Sequence, residues 1–203
     1  MTDDLHTSLT EFLRHDDMPR FLGPLVRLVA AGRPVELARI AEAGDIPVEQ
    51  LRTWLRDQPG TDWDEQGRLV GFGLTQRETV HRFTVDARVL YTFCAADTLL
   101  FPPILGRPAL VESPCAATGR PIRIEVGPDA VGATDPETAV VAQPALCGTA
   151  DIRATFCDHG HFFVTSDAAR EWQARHPGGD VRPVAEFFDI ALATCRELGW
   201  ASS

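Results

Sequence analysis

Apolar residues in the first part of the chain recur at the three- and four-residue spacing of amphipathic helices. Leu5, Leu9, Phe12 and Leu13 begin this pattern, and a second apolar series runs over residues 21–29. Such spacing places the apolar side chains on one face of a helix, where they can be buried against a neighbouring element. The pattern therefore predicts that the chain opens with core-facing helices.

Two shorter helices and a hairpin are predicted to follow. Pro34 and Pro47 each precede a short apolar series, and proline is favoured in the first turn of a helix. Residues 62–72 then have the pattern of a β-hairpin, with Gly67 at the turn. Helices followed by a hairpin indicate a winged-helix-like N-terminal domain over residues 1–80.

From His81 onwards the pattern changes to short alternating or β-branched stretches separated by turn residues. The predicted strands are residues 81–85, 109–112, 122–126, 139–142 and 161–164. A helix is predicted to begin near Ser166 as its N-cap, and the last helix buries an apolar face that includes Cys195. The fold class is thus α+β, with a mixed strand-and-helix domain over residues 81–203.

Charge argues against nucleic acid as a partner. The net charge is −10, and residues 1–80 hold nine arginines against fourteen acidic residues, although Arg52 and Arg56 lie on the candidate recognition helix. All 19 basic residues are arginine. The absence of lysine excludes Schiff-base chemistry and a phosphate-loop lysine.

The cysteines and the amino terminus indicate a cytoplasmic protein. The segment Met1-Thr-Asp-Asp-Leu5 is acidic, whereas a secretory signal begins with positive charge, and no apolar run approaches the roughly 20 residues of a membrane span. Five cysteines form an odd set without the spacing of a secreted disulfide scaffold. We expect free thiols and no membrane partner.

Two cysteines lie in similar apolar, aromatic stretches and form the candidate site. The stretches are Tyr91-Thr-Phe-Cys94-Ala-Ala-Asp97-Thr98 and Phe156-Cys157-Asp158-His159-Gly160-His161-Phe162-Phe163. Asp97 lies three residues after Cys94, which brings the two side chains together if the segment is helical. Two soft sulfurs and one carboxyl group suit chemistry on a thiophilic metal better than hydrolysis or hydride transfer.

These residues belong to an ordered series of motifs that resembles the organomercurial lyase family, also called the alkylmercury lyases. The matching blocks are Gly71-Phe-Gly-Leu-Thr75 with Glu78-Thr79, Cys94-Ala-Ala-Asp97-Thr98-Leu with Phe101-Pro102, Gly106-Arg107, Cys115-Ala-Ala-Thr-Gly119, and Phe156-Cys157 with His159 and His161-Phe-Phe163. The resemblance implies a helical N-terminal part joined to a catalytic part. It also implies that Cys94, Asp97 and Cys157 carry the chemistry.

The implied reaction is protonolysis of a carbon–mercury bond. Cys94 is expected to attack first and Cys157 to add the second thiolate, so that electron density shifts toward the carbon, while Asp97 supplies the proton. No organic cofactor or resident metal is expected. Mercury(II) would pass to cellular thiols or to a mercuric reductase. The aromatic residues expected to form a dry pocket are Phe93, Phe156, Phe162 and Phe163.

Two alternative functions remain open at this stage. Cys157, His159 and His161 would share one face of a strand and are residue types that bind zinc, but structural zinc usually has four ligands, and the C-x₂-C knuckle of many zinc sites is missing. The histidines can instead support the loop or tune the thiol. A zinc or thiol-redox protein is one alternative, and a winged-helix sensor of thiophilic metals is the other.

The remaining cysteines and one departure from the family pattern complete the candidate set. Cys115 is expected to be structural although it lies in a matching block, and Cys147 matches no block. Asp158 stands where family members can carry another cysteine. A carboxylate there would either raise the pKa of Cys157 or face solvent.

Overall fold

The computed structural model describes residues 4–14, 18–56, 60–146 and 151–201. The helices are α1 (Asp4–Leu13), α2 (Met18–Val29), α3 (Leu37–Ala43), α4 (Val48–Arg56), α5 (Ala95–Leu105), α6 (Ile152–Thr155), α7 (Arg170–Arg175) and α8 (Val184–Glu197). The strands are β1 (Thr61–Trp63), β2 (Leu69–Phe72), β3 (Leu74–Thr75), β4 (His81–Val85), β5 (Arg88–Thr92), β6 (Ala109–Pro114), β7 (Pro121–Val126), β8 (Val131–Asp135), β9 (Val140–Gln143), β10 (His161–Phe163) and β11 (Asp180–Pro183).

The described strands form two antiparallel sheets. The larger sheet has the strand order β1-β2-β3-β5-β4-β6-β7-β8, and the smaller sheet has the order β10-β9-β11. The pattern in β7 shows why the alternation predicted a strand, because Ile122, Ile124 and Val126 are buried while the residues between them are exposed. The α+β prediction is confirmed.

The N-terminal part contains the predicted helices and hairpin. Strands β1 and β2 pair as a hairpin, and Gly67 in the connecting turn has a positive φ of 74°. Strand β3 pairs with both β2 and β5, so the N-terminal strands continue directly into the sheet of the second part. The predicted division at residue 80 falls between β3 and β4 and stays a prediction.

Helix α5 occupies the centre of the molecule. Nine of its eleven residues are buried, which is why its sequence is apolar all round rather than amphipathic. It packs against α2 and α8 and against strands of both sheets. Its C-terminus is closed by Gly106, which adopts the left-handed conformation (φ 64°) and donates its N–H to the Pro102 carbonyl at 2.9 Å. The C-terminus of this buried helix is therefore fixed.

The final helix follows the prediction, whereas the helix before it does not. In α8 the apolar face is buried, and Cys195 is fully buried as a packing residue. Helix α7 begins only at Arg170, because Ser166 lies in a preceding turn where its carbonyl accepts the Ala169 N–H at 3.1 Å. The prediction of Ser166 as the N-cap is wrong. None of the helices in the described ranges is long and apolar enough to cross a membrane.

Candidate active site

Cys94 lies where the chain passes from β5 into α5. Its backbone is extended (φ −144°, ψ 170°), so Cys94 is the N-cap of α5. The Thr92 hydroxyl donates to the Cys94 carbonyl at 2.9 Å, and the Phe93 N–H donates to the Gly73 carbonyl at 2.8 Å. These bonds fix the backbone beside the thiol and hold the start of α5 against the large sheet.

Asp97 is the third residue of α5 and forms a capping box with Cys94. The Cys94 N–H donates to Asp97 Oδ2 at 3.3 Å, and the Asp97 N–H points back to the Cys94 sulfur. Glycine at position 73 leaves room for this arrangement, since a Cβ there would lie 2.8 Å from the Phe101 ring and 3.6 Å from Asp97 Oδ1. The predicted proximity of Cys94 and Asp97 is thus produced by the helix cap.

Cys157 begins a single 3₁₀ turn that ends at His159. The Gly160 N–H donates to the Cys157 carbonyl at 3.0 Å, and the Gly160 carbonyl accepts the N–H of Ala95 at 3.1 Å. The turn is therefore bonded to the first residue of α5. The prediction that these residues share a strand face is wrong, because β10 begins only at His161.

The ligand atoms of Cys94, Asp97 and Cys157 all lie within 4.8 Å of one another. In the part of the chain that the structure describes, this is the one group of three or more Cys, His, Asp or Glu residues close enough to share a metal ion. Both thiols are buried and free of disulfides, and Asp97 is partly buried. The structure thus brings together all three residues singled out in the sequence.

The protonation state of the site follows from its burial. Burial raises the pKa of the Cys94 thiol well above its usual value, and its hydrogen bond with Cys157 and the charge of Asp97 raise it further. Burial also raises the pKa of Asp97 to about 6, against the lowering effect of hydrogen bonds from Cys94 and Phe93. At neutral pH the site is therefore a protonated Cys94 thiol beside a mostly ionised Asp97.

An apolar cavity of about 90 Å³ adjoins this site. Asp97 and Cys157 line it, whereas the Cys94 side chain does not and is fully buried. The remaining lining residues come from the N-terminal helices, the first strands, α5, α6 and α8; among them are Leu9, Phe12, Phe93, Ala96, Leu100 and Phe156. The cavity therefore offers a dry space for a small hydrocarbon group beside one sulfur and one carboxylate.

The predicted aromatic pocket is correct in part. Phe93 and Phe156 line the cavity, but Phe162 and Phe163 do not. Phe162 packs on the ring of His81 with centroids 5.9 Å apart, and Phe163 faces Trp172 at 6.4 Å. Both lie in β10, whose pleat directs consecutive side chains to opposite faces, so Phe162 packs toward His81 and Phe163 toward Trp172.

A charged group beside the cavity was missed in the sequence. The Arg153 guanidinium lies 4.0 Å from the centroid of the Phe93 ring and donates to Asp62 Oδ1 at 2.9 Å. The buried Asp62 carboxylate also accepts the Thr75 hydroxyl at 2.7 Å. Because Asp62 and Arg153 are 91 residues apart, no local pattern could have paired them. The cluster fixes the cavity wall formed by α6 and Phe93.

The other candidate residues that the structure describes lie outside the three-residue site. Burial raises the pKa of the Cys115 thiol, but hydrogen bonds from Thr118 and nearby backbone N–H groups lower it overall. Burial raises the pKa of Cys195 to about 12. Asp158 is exposed and lies 3.9 Å from Arg153 Nε. Cys147 lies outside the described residues.

The histidines near Cys157 are not part of its ligand group. His159 is exposed, and its ring centroid lies 5.1 Å from that of His176. His161 is half-buried and stacks near His81 with centroids 6.3 Å apart. Within the described ranges, neither histidine joins a group of three metal ligands. The zinc interpretation therefore gains no support from the geometry.

Comparison with known proteins connects this site to one family. The sequence model described as "Alkylmercury lyase" matches residues 74–195, and the model described as "Helix-turn-helix domain of alkylmercury lyase" matches residues 1–73. The alkylmercury lyase of Streptomyces lividans is 50% identical, and the match covers 82% of this chain and 78% of that protein. The alkylmercury lyase of Bacillus cereus is 42% identical, and the match covers 86% of this chain and 80% of that protein.

A solved structure shows the same fold. The crystal structure of the mercury-bound form of MerB2 aligns with a TM-score of 0.77 and covers 95% of this chain and 98% of that one. Its sequence identity to the chain is 21%, so this likeness concerns the fold alone.

Proposed function

The chain belongs to the alkylmercury lyase family and is a carbon–mercury lyase, and on that premise we propose that Cys94, Asp97 and Cys157 carry out the protonolysis. The observation that supports these roles is the convergence of two sulfurs and a carboxylate within 4.8 Å beside an apolar cavity. Membership of the family favours the lyase over the sensor and the zinc or redox alternatives.

The separation of the two sulfurs suits a single bound cation. A metal–thiolate bond to zinc is about 2.3 Å long, so one cation of that size can reach two sulfurs up to about 4.6 Å apart. Mercury is a larger cation, and the sulfurs lie within 4.8 Å of each other. Both thiolates can therefore bind the same mercury without refolding of the site.

The cavity indicates which sulfur meets the substrate first. Cys157 lines the cavity, whereas Cys94 lies behind it and is fully buried. An organomercurial R–Hg–X entering with its hydrocarbon group in the cavity therefore reaches Cys157 before Cys94. A Cys157–mercury bond forms, the mercury–X bond breaks, and HX leaves. This order reverses the one expected from the sequence.

Cys94 then binds mercury and gives up its proton. Binding of a soft cation replaces the proton on sulfur, and the adjacent Asp97 carboxylate accepts that proton because its own pKa is raised to about 6. Two thiolates now donate electron density to mercury. The carbon bound to mercury becomes basic enough to accept a proton.

Asp97 completes the reaction as general acid. It transfers its proton to the carbon, the carbon–mercury bond breaks, and R–H is released. The overall change is R–Hg–X plus two cysteine thiols giving R–H, HX and mercury(II) held by two thiolates. Two external thiols then displace mercury(II) and restore both cysteines. Cellular thiols or a mercuric reductase in the cytoplasm are the proposed acceptors.

Benzene release from phenylmercury in excess thiol tests the three roles together. Cys94→Ser, Asp97→Asn and Cys157→Ser should each lower the rate by about 100-fold or more, since each removes a group that acts on the reacting atoms. Cys195→Ser is the matched control, because Cys195 is an equally buried thiol outside the three-residue group. Full activity in any of the three site variants would contradict that residue's role.

Mass spectrometry without added thiol tests the binding order. The Cys94→Ser variant should carry a phenylmercury adduct on Cys157 and release no benzene. The Cys157→Ser variant should form little adduct, because the remaining site thiol does not face the cavity. The opposite distribution of adducts would restore Cys94 as the first nucleophile.

A further inference from the structure

Gly160 lies between the two elements that carry the site cysteines. Its carbonyl accepts the Ala95 N–H at 3.1 Å, at the first residue after Cys94. Its own N–H donates to the Cys157 carbonyl at 3.0 Å, which closes the 3₁₀ turn. One residue thus connects the backbone of the Cys157 turn to the N-terminus of α5.

A second group binds the Gly160 backbone from the large sheet. The buried ring of His81 hydrogen-bonds to Gly160, and its Nδ1 lies 2.8 Å from the Ser113 hydroxyl. Because burial lowers the pKa of His81 to about 4, the ring is neutral at physiological pH. A neutral imidazole that accepts from Ser113 can donate its other N–H to the Gly160 carbonyl.

Position 160 requires glycine because there is no room for a side chain, and not because its backbone conformation excludes other residues. Its φ of −85° and ψ of 108° are open to any residue. A Cβ at this position, however, would lie 2.5 Å from both Nε2 and Oε1 of Gln143. Ordinary contact begins near 3.4 Å, so an added methyl group would require a displacement of about 0.9 Å.

Gln143 is enclosed on the other side of this contact. Its side chain is 1% exposed and comes from β9, the central strand of the smaller sheet. Within the described residues, neither Nε2 nor Oε1 of Gln143 has a hydrogen-bond partner. The Gln143 side chain is thus enclosed among the described residues, and because three atoms of its amide group would have to move, we expect the turn that carries Cys157 to shift instead.

We propose that Gly160 is a positioning residue that sets the separation of the Cys94 and Cys157 sulfurs, and that Gln143 is the neighbour that excludes any larger residue there. The proposal rests on the function proposed above. Displacement of a reacting group by about 1 Å costs on the order of 100-fold in rate. Gly160→Ala should therefore lower kcat strongly while KM changes little, because Gly160 does not line the substrate cavity.

The experiment compares Gly160→Ala, Gln143→Ala and the double variant in phenylmercury turnover. Gly160→Ala should lose about 100-fold in kcat. Gln143→Ala and the double variant should stay within about threefold of the wild type, because truncation of Gln143 removes the clash. Gly127→Ala is the matched control: a Cβ there meets the Ala130 carbonyl oxygen at 3.1 Å in the turn between β7 and β8, and within the described residues the Gly127 backbone bonds to Ala130 and not to either cysteine element. It should keep its kcat.

A spectroscopic readout separates positioning from general damage. X-ray absorption on protein loaded with one equivalent of mercury(II) should find two sulfur neighbours in the wild type and the double variant, and one in Gly160→Ala. If Gly160→Ala does not fold, His81→Phe removes the ring N–H donor to Gly160 and should give the same loss, while His81→Gln retains a donor and activity.

The outcomes distinguish this proposal from the proposed function. A folded Gly160→Ala variant with wild-type kcat and two mercury–sulfur bonds overturns the positioning role, as does a double variant that stays inactive while Gln143→Ala is active. A wild-type protein that releases no benzene contradicts the proposed function instead. The sulfur count then still tests the positioning role.

Discussion

Replacement of Asp97 by asparagine should stabilise the fold while abolishing catalysis. The pKa of Asp97 is raised from 3.8 to about 6 by burial, so the folded state disfavours the ionised form. When the pKa of a carboxyl group is higher in the folded state than in the unfolded state, the unfolded state loses its proton first as the pH rises. The free energy of unfolding therefore falls between the unfolded-state pKa and the folded-state pKa. At neutral pH the penalty for ionised Asp97 amounts to about 3 kcal/mol, an upper value for this partly buried group.

Asparagine is neutral at every pH, so the Asp97→Asn variant keeps the stability that the wild type loses. The difference in unfolding free energy between variant and wild type should grow by about 3 kcal/mol in total as the pH rises from about 3 to about 7.5, with about 2 kcal/mol of it between about pH 4 and pH 6. Urea unfolding of both proteins at several pH values measures this difference. A difference that stays constant with pH, or that shrinks as the pH rises, would show that burial does not disfavour the ionised form of Asp97 in the folded state.

Three further predictions use the same site. The kcat/KM for phenylmercury should fall about tenfold per unit below about pH 6, because Asp97 must be ionised to accept the Cys94 proton; a flat acidic limb would contradict this. Ala96→Leu should fill part of the cavity and so hinder the larger phenyl group more than methyl: kcat/KM should fall about 10-fold more for phenylmercury than for methylmercury. Equal losses for the two substrates would show that the cavity does not hold the organic group. Arg153→Met should destabilise the protein by about 2 kcal/mol in urea unfolding, because the buried Asp62 carboxylate loses its closest cation. Arg153→Lys should recover part of this loss. An unchanged urea midpoint in Arg153→Met would contradict a stabilising role of the Arg153–Asp62 ion pair.

Local patterns in the sequence predicted much of the fold. Strand β7 was predictable because every second residue is apolar, and α8 because its apolar residues fall on one helical face. Strand β8 was missed because Val131 is the only apolar residue besides alanine in a segment that is largely exposed. Strand β11 has only four residues, ends in proline and contains Val181 as its one β-branched residue, so its pairing with β9 is what identifies it. Both β8 and β11 are strands because of their pairing with neighbouring strands, and not because of their own sequence patterns.

In the site, too, contacts between residues close in sequence were predictable, and contacts between distant residues were not. Asp97 beside Cys94 is a contact between residues three apart, so spacing alone predicted it. The approach of Cys157 to Cys94 is a long-range contact, and only the resemblance to a family indicated it. The 3₁₀ turn at Cys157 could not be read from alternation, since the apolar residues on either side of the turn resemble one continuous strand. The space beside Gly160 depends on Gln143 of another strand and has no signal in the local sequence.

In the proposed mechanism two sulfurs hold one mercury while a neighbouring carboxyl group protonates the carbon. Reaction of the wild-type protein with one equivalent of phenylmercury, without added thiol, followed by X-ray absorption at the mercury edge, tests it most directly. One equivalent of benzene should be released, and the mercury should then have two sulfur neighbours and no carbon neighbour. Mercury that keeps its carbon neighbour, or that loses it while bound to a single sulfur, would exclude the two-thiolate mechanism.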